Sequence, residues 1–72
     1  MAFEFTNVIY ITYHEFKEMV RLCKEEGKTP TQAFWEVAAS WDDCEYYNAG
    51  FVEEKAVKIL NLMLAGEKVD FE

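Results

Sequence analysis

Hydrophobic and polar residues alternate along the first part of the chain, from Phe3 to Tyr13. One side of the pattern holds Phe3, Phe5, Asn7, Ile9, Ile11 and Tyr13, and the other holds Glu4, Thr6, Val8, Tyr10 and Thr12. A period of two residues, rich in β-branched and aromatic side chains, predicts a β-strand. Asn7 marks a bulge or a break, so the alternatives are one strand or two short ones.

The spacing becomes helical after this segment. Thr12 and Glu15 stand three residues apart, as in a capping box, where the two side chains bind each other's backbone N–H groups. Hydrophobic residues then recur with the spacing of one helical face, at Phe16, Met19, Val20 and Cys23. The pattern predicts a first helix from about Tyr13 to Glu26, which Gly27 ends in a left-handed conformation.

A second helix is predicted from its start signals. Thr29 is the expected N-cap, Pro30 fits the first helical position, and Gln32 completes a second capping box. The predicted core face holds Phe34, Val37, Ala38 and Trp41. Trp35 lies about 100° from that face, so we expect it at the rim of the core with its indole N–H in water.

The last third of the chain predicts one more helix and a strand. A break at residues 48–50 precedes a helix from about Phe51 to Ala65, which Gly66 ends. Its main face holds Val52, Ala56, Ile59, Leu60 and Met63, and Val57, Leu62 and Leu64 make it apolar nearly all round. Such a helix is central or buried on two sides. Residues 67–72 alternate again, with Val69 and Phe71 on one side, which predicts a C-terminal strand.

These elements predict a small α+β fold, with residues 1–72 as a single domain in the order β-α-α-α-β. The three helices are expected to pack on one face of a short two-stranded sheet made from the terminal strands. Isolated two-stranded sheets are only marginally stable and leave exposed edges. We therefore expect a homodimer in which strand addition hides an edge.

Composition and charge narrow the class of partner. The chain of 72 residues is 51% hydrophobic and 17% aromatic, which is too rich in core-forming residues for a disordered protein. Its net charge of −7 disfavours direct binding to nucleic acid and to anionic membranes, and favours a protein partner with a basic surface. No signal peptide is evident at the N-terminus, so a cytoplasmic location is expected. Cys23 and Cys44 are expected to be reduced and mostly buried, with a disulfide between them as the alternative.

No motif for catalysis or cofactor binding stands out. His14 is the only histidine, and its neighbours lack the spacing of a zinc site or of a nucleophilic triad. Asp42, Asp43 and Glu45 have oxygen ligands suited to a hard cation, but the alternating pattern and glycine of a calcium loop are missing. We expect no enzyme activity, no cofactor and no metal. Asp42 and Asp43 either continue the second helix into solvent or cap a separate turn that contains Glu45.

The most distinctive segment of the chain is residues 34–51. It holds six of the twelve aromatic residues, both tryptophans, and four acidic residues with no basic one. Tryptophan and tyrosine anchor many protein interfaces. The predicted partner-binding residues are Trp35, Glu36, Asp42, Asp43, Glu45, Tyr46 and Tyr47, with Trp35 as the anchor. The alternative is that the aromatic residues serve only the core and the acidic residues are merely solvated.

The function predicted from the sequence is a small acidic, non-catalytic protein-binding module, acting as an inhibitor or adaptor. A small acidic chain without motifs is compatible with a protein of a phage or another mobile element. One alternative is a nucleic-acid mimic that blocks a basic groove, although seven cationic residues dilute its carboxylates. Another alternative is a self-assembling structural component.

Overall fold

The computed structural model describes residues 2–70, which form a two-stranded antiparallel sheet and four α-helices. The elements in chain order are β1 (Ala2–Glu4), β2 (Tyr10–Thr12), α1 (Tyr13–Glu25), α2 (Pro30–Ala38), α3 (Asp43–Asn48), a 3-10 turn (Ala49–Phe51) and α4 (Glu53–Leu64). This content confirms the predicted α+β class. No helix within residues 2–70 combines the length and the apolar character needed to span a bilayer.

β1 and β2 are the two short pieces that the alternation at the N-terminus allowed. They pair as an antiparallel hairpin in which Phe3 lies opposite Ile11. The Thr6 hydroxyl closes the connection by accepting hydrogen bonds from the N–H groups of Val8 at 3.1 Å and Ile9 at 3.2 Å. Threonine hydroxyls stabilise turns in this way. The break expected at Asn7 is therefore the turn of a hairpin.

The observed order of two strands followed by four helices differs from the predicted β-α-α-α-β order. β1 pairs with β2 rather than with a C-terminal strand. Residues 67–70 form no strand, and Phe71 and Glu72 lie outside the described residues. A short local hairpin requires less loss of chain entropy than pairing the two ends of the chain, which explains the preference for the local partner.

Both predicted capping boxes are present. At the start of α1, the Thr12 hydroxyl accepts from the Glu15 N–H at 3.2 Å, and the Glu15 carboxylate accepts from the Thr12 N–H at 2.9 Å. At α2, Thr29 and Gln32 make the equivalent pair of bonds at 3.2 and 3.0 Å. Gly27 ends the first helical segment with a φ of +70°. The local start and stop signals of these helices are thus confirmed.

The core lies where α1, α2 and α4 pack together beside the hairpin. Its largest fully buried side chains are Phe16, Phe34, Ile9, Ile11, Met19 and Leu60. Leu22 is also buried, whereas the predicted core residues Val20 and Cys23 are only half-buried against the cluster. The buried face of α1 is therefore rotated slightly from the predicted one.

The position of α4 corrects a further prediction. Ala56 and Leu60 are buried on one side of this helix, but Leu62 is 45% exposed on another. The expectation that this helix is central or buried on two sides is therefore wrong. α1 and α2 supply most of the helical surface that covers α4. In such a short chain this cover is incomplete, so part of the apolar surface of α4 remains in contact with solvent.

The glycines provide a matched test of the fold. Gly27→Ala should lower the free energy of unfolding by about 1 kcal/mol, because a side chain disfavours the left-handed conformation at this position. Gly50 has no positive φ and open space around its Cα, so Gly50→Ala should leave stability unchanged or raise it by up to about 1 kcal/mol. Urea denaturation of both variants measures the difference. Equal effects at the two positions would contradict the left-handed assignment of Gly27.

Candidate protein-binding surface

The acidic residues after α2 begin a separate helix. Asp42 is the N-cap of α3, and its Oδ1 accepts a hydrogen bond from the Glu45 N–H at 2.9 Å. Of the two alternatives for Asp42 and Asp43, the structure therefore selects the cap of a separate turn. Ala49 is fully buried just after α3. The cap satisfies a backbone N–H at the start of the short helix, and buried Ala49 holds the end of the helix in the core.

α3 and the 3-10 turn expose three aromatic side chains to solvent. Phe51 is 83% exposed, Tyr47 is 80% exposed and Tyr46 is 44% exposed. The ring centroids of Tyr46 and Tyr47 are 6.4 Å apart. Phe51 and Tyr47 are the two most exposed large hydrophobic residues of the described chain. We refer to Tyr46, Tyr47 and Phe51 as the aromatic surface.

Trp35 lies beneath this surface and joins it to the core. Its ring meets Tyr46 and Phe34 edge-on, at centroid distances of 5.7 and 5.2 Å. The indole N–H donates to the Glu53 carboxylate of α4 at 2.9 Å. The expectation that this N–H is in water is therefore wrong, because the folding of α4 against α2 brings a carboxylate to it. The half-buried Trp35 connects α2, α3 and α4.

Trp41 also packs against Phe34 and binds a carboxylate on another helix. The two rings also meet edge-on, with centroids 5.8 Å apart. The Trp41 indole N–H donates to Oε2 of Glu15, whose Oε1 accepts from the backbone and hydroxyl of Thr12. One carboxylate therefore caps α1 and also holds the connection between α2 and α3. No pattern within the sequence could indicate this contact across 26 residues.

Glu45 lies against the outer edge of β2. Burial raises the pKa of its carboxyl group, and a hydrogen bond and negative charge from Asp42 and the charge of Glu15 raise it further. The Tyr10 N–H opposes this shift in pKa by hydrogen bonding the carboxylate. Tyr10 lies opposite Glu4, and the neighbouring pair is joined by a hydrogen bond from the Phe5 N–H to the Ile9 carbonyl. Hydrogen-bonded and non-hydrogen-bonded pairs alternate along an antiparallel sheet, so the N–H group of Tyr10 points away from β1. Glu15 therefore occupies the outward N–H group of Thr12, and the Glu45 carboxylate lies close to that of Tyr10.

The predicted site residues thus divide into different environments. Trp35, Tyr46 and Tyr47 come together, and Asp43 is exposed in the first turn of α3. Glu36 instead faces a groove between α1 and α2 and forms an ion pair with Lys28 at 3.6 Å. Asp42 and Glu45 have the structural contacts described above. Much of the acidity of this segment is therefore used within the fold.

Phe51 is a member of the aromatic surface that the predicted site omitted. The sequence contained a signal that Phe51 is exposed, because this residue lies outside the apolar helical face formed by Val52, Ala56 and the residues that follow. A shallow hollow of about 240 Å³ beside it is lined by Glu54, Lys55 and Lys58. The border of the aromatic surface is therefore mixed in charge near Phe51 and acidic near α3.

The two thiols and the candidate metal ligands are less informative. Cys23 and Cys44 are both free. Cys23 is half-buried, and this burial raises the pKa of its thiol. Cys44 is exposed, so the expectation that both thiols are mostly buried is wrong for Cys44. Within residues 2–70, no group of three or more His, Cys, Asp or Glu side chains is arranged to hold a metal ion.

The raised pKa of Glu45 predicts a pH-dependent effect of Glu45→Gln. The folded protein binds this proton more tightly than the unfolded chain, so the stabilisation from Glu45 is present at low pH and is lost as the pH rises through the raised pKa. Glu45→Gln should therefore stabilise the protein relative to the wild type more at about pH 7 than at about pH 4. Urea midpoints of both proteins at the two pH values measure this. An equal or opposite difference would contradict the assigned environment of Glu45.

The bond between Trp35 and Glu53 predicts an energetic coupling. Trp35→Phe should lower the free energy of unfolding by about 1–2 kcal/mol, because it removes the indole donor and leaves the carboxylate without it. A double-mutant cycle with Glu53→Ala should give a coupling of at least about 0.5 kcal/mol. The exposed neighbour Glu54 supplies the control, and the cycle of Trp35→Phe with Glu54→Ala should be additive. Additivity in both cycles would show that the bond between Trp35 and Glu53 contributes nothing to the free energy of unfolding.

Comparisons with known proteins found no match for this chain among protein-family models, curated proteins or solved structures. A function cannot be transferred from a relative on this basis. The exposure, contacts and charges of the chain's own residues must therefore support any functional assignment.

Proposed function

We propose that this protein is a small non-catalytic protein-binding module, acting as an inhibitor or adaptor, with the aromatic surface at the centre of its interface. The observation that carries the proposal is the exposure of Tyr47 and Phe51, at 80% and 83%. Aromatic side chains of this size each offer about 150–250 Å² of area for burial. Interfaces are enriched in such residues, and burying them against a partner is favourable.

The support beneath the aromatic surface favours binding over simple exposure. Trp35 packs against Tyr46 from below, Asp42 caps α3, and Ala49 anchors the end of α3 in the core. A surface held in place before binding loses less conformational entropy when a partner arrives. In this proposal the half-buried Trp35 supports the interface, and the more exposed Tyr47 and Phe51 make the main contacts.

The charges around the aromatic surface indicate the kind of partner. Asp42 and Asp43 are both exposed at the start of α3. A partner with basic residues opposite this end would gain a faster, salt-sensitive association. Lys55 and Lys58 lie on the Phe51 side, so the proposed partner is basic only where it faces the start of α3.

A capture experiment with matched variants tests the proposal. The wild-type protein, Tyr47→Ser/Phe51→Ser and Leu62→Ser serve as baits in lysate of the source cell. Leu62 is 45% exposed on α4 and supplies a control for loss of an exposed hydrophobic side chain. We expect the double variant to retain its thermal stability but to lose a basic protein that the other two baits capture. The expected loss in affinity is about thirtyfold or more, since an anchor residue contributes about 2 kcal/mol or more.

Two results would contradict this proposal. Equal capture by all three baits would show that the aromatic surface is not the interface. If replacing Asp42 and Asp43 by Asn abolished capture while Tyr47→Ser/Phe51→Ser had no effect, the nucleic-acid mimic would become the better explanation. That mechanism relies on carboxylates and needs no exposed aromatic centre.

We also retain the homodimer as a proposal. The sheet within residues 2–70 has only two strands, so strand addition to an edge is a physical route to association. Glu15 accepts from the outward N–H group of Thr12 in β2, and the Glu45 carboxylate lies close to the outward N–H group of Tyr10. The outer edge of β1 is therefore the better candidate for pairing with a second copy.

A further inference from the structure

The groove between α1 and α2 has a composition that the aromatic surface does not share. It has a volume of about 540 Å³, which is within the range of ligand-binding clefts. Among residues 2–70, its lining includes four carboxylates, from Glu15, Glu18, Glu26 and Glu36, and it includes no lysine or arginine. The electrostatic character of the groove wall is therefore acidic.

The floor of the groove is apolar. It is formed by Leu22 of α1 and Val37 of α2, which keep 7% and 8% of their surface exposed while most core residues are fully buried. A ligand in the groove can contact the core at the exposed parts of these two side chains. An occupant with both aliphatic and cationic parts would therefore match the groove.

Two cations stand near the carboxylates but do not neutralise them. Arg21 pairs with both Glu18 and Glu26, and Lys28 pairs with Glu36. All three of these carboxylates belong to exposed residues. Two cations against the four carboxylates of the lining leave an excess of negative charge, and exposed ion pairs of this kind exchange partners at little cost.

The C-terminal end of α2 adds to the negative potential. Ser40 lies at this end of the groove, and its hydroxyl donates to the Val37 carbonyl at 2.8 Å. The Ser40 oxygen can still accept a hydrogen bond from a ligand. The last turn of α2 carries no basic residue, so its helix dipole is not compensated there by a side chain of its own.

We propose that this groove binds a short basic segment of a partner protein, in which lysine or arginine side chains flank an aliphatic residue. The aliphatic parts would lie on Leu22 and Val37, and the cationic groups would reach the carboxylates above them. Long basic side chains combine an apolar stem and a charged end in this way. The inference does not depend on the aromatic surface, because the two sites share no residue.

A titration with a synthetic peptide tests the groove directly. The probe is an acetylated and amidated 12-residue helical peptide of Lys and Leu, and the matched control peptide carries Glu in place of every Lys. The full-length ¹⁵N-labelled protein is followed by amide chemical shifts at low salt. We expect the Lys peptide to shift amides of Leu22, Glu36, Val37 and Ser40, and we expect the Glu peptide to shift none of them.

Charge-matched variants separate the groove from general attraction to an acidic protein. Glu18→Gln/Glu36→Gln should weaken binding of the Lys peptide about fivefold or more, since each exposed charge pair contributes modestly. Glu54→Gln/Glu67→Gln removes the same charge outside the groove and should change affinity less than about twofold. Urea denaturation of both variants checks that they remain folded.

Three outcomes would overturn the proposal. Equal weakening by the two pairs of substitutions would reduce the binding to general electrostatics. Shifts centred on Tyr46, Tyr47 and Phe51 would assign the peptide to the aromatic surface. Groove shifts that appear on concentrating the protein without peptide, together with a dimer in sedimentation, would identify a second copy as the occupant.

Discussion

The fold depends on Phe34 and on the two tryptophans that meet its ring edge-on. Phe34 is fully buried, and Trp35 and Trp41 approach it at centroid distances of 5.2 and 5.8 Å. Each tryptophan then uses its indole N–H to bind a carboxylate on another helix, Glu53 of α4 or Glu15 of α1. A chain of this length buries a relatively small fraction of its surface, so large aromatic side chains with satisfied polar ends supply much of its cohesion.

The same arrangement accounts for many of the acidic residues near the aromatic segment. Glu15 and Asp42 cap helices, Glu53 binds an indole, and the Glu45 carboxylate lies close to the backbone of the hairpin. Their number suggested a docking surface, but their hydrogen bonds give them structural functions first. In the groove between α1 and α2, Glu15 has such a structural function, whereas Glu18, Glu26 and Glu36 pair only with the surface cations Arg21 and Lys28. At the start of α3, Asp43 is exposed beside the capping residue Asp42. The two proposed interaction surfaces are consequently separate, one aromatic and one acidic with an apolar floor.

The aromatic surface and the core are mechanically connected through Trp35. Its contacts with Tyr46 and Glu53 couple the position of α3 to the packing of α2 on α4. Substitution of Trp35 therefore changes stability and the support of the aromatic surface together, whereas Tyr47 and Phe51 extend into solvent. This difference explains why the exposed residues, rather than the tryptophan, are suited to report on binding alone.

The features that depend on neighbouring residues could be predicted from the amino-acid sequence. The capping pairs Thr12–Glu15 and Thr29–Gln32 and the left-handed Gly27 act within a few residues, and local propensity is enough to specify them. Three other features could not be predicted: which strand β1 pairs with, where the indole N–H groups of Trp35 and Trp41 bind, and how far Phe51 extends into solvent. These features depend on the relative placement of helices that are distant in the chain. Hydrophobic spacing defines a face of each helix, but it does not identify the partner that covers that face.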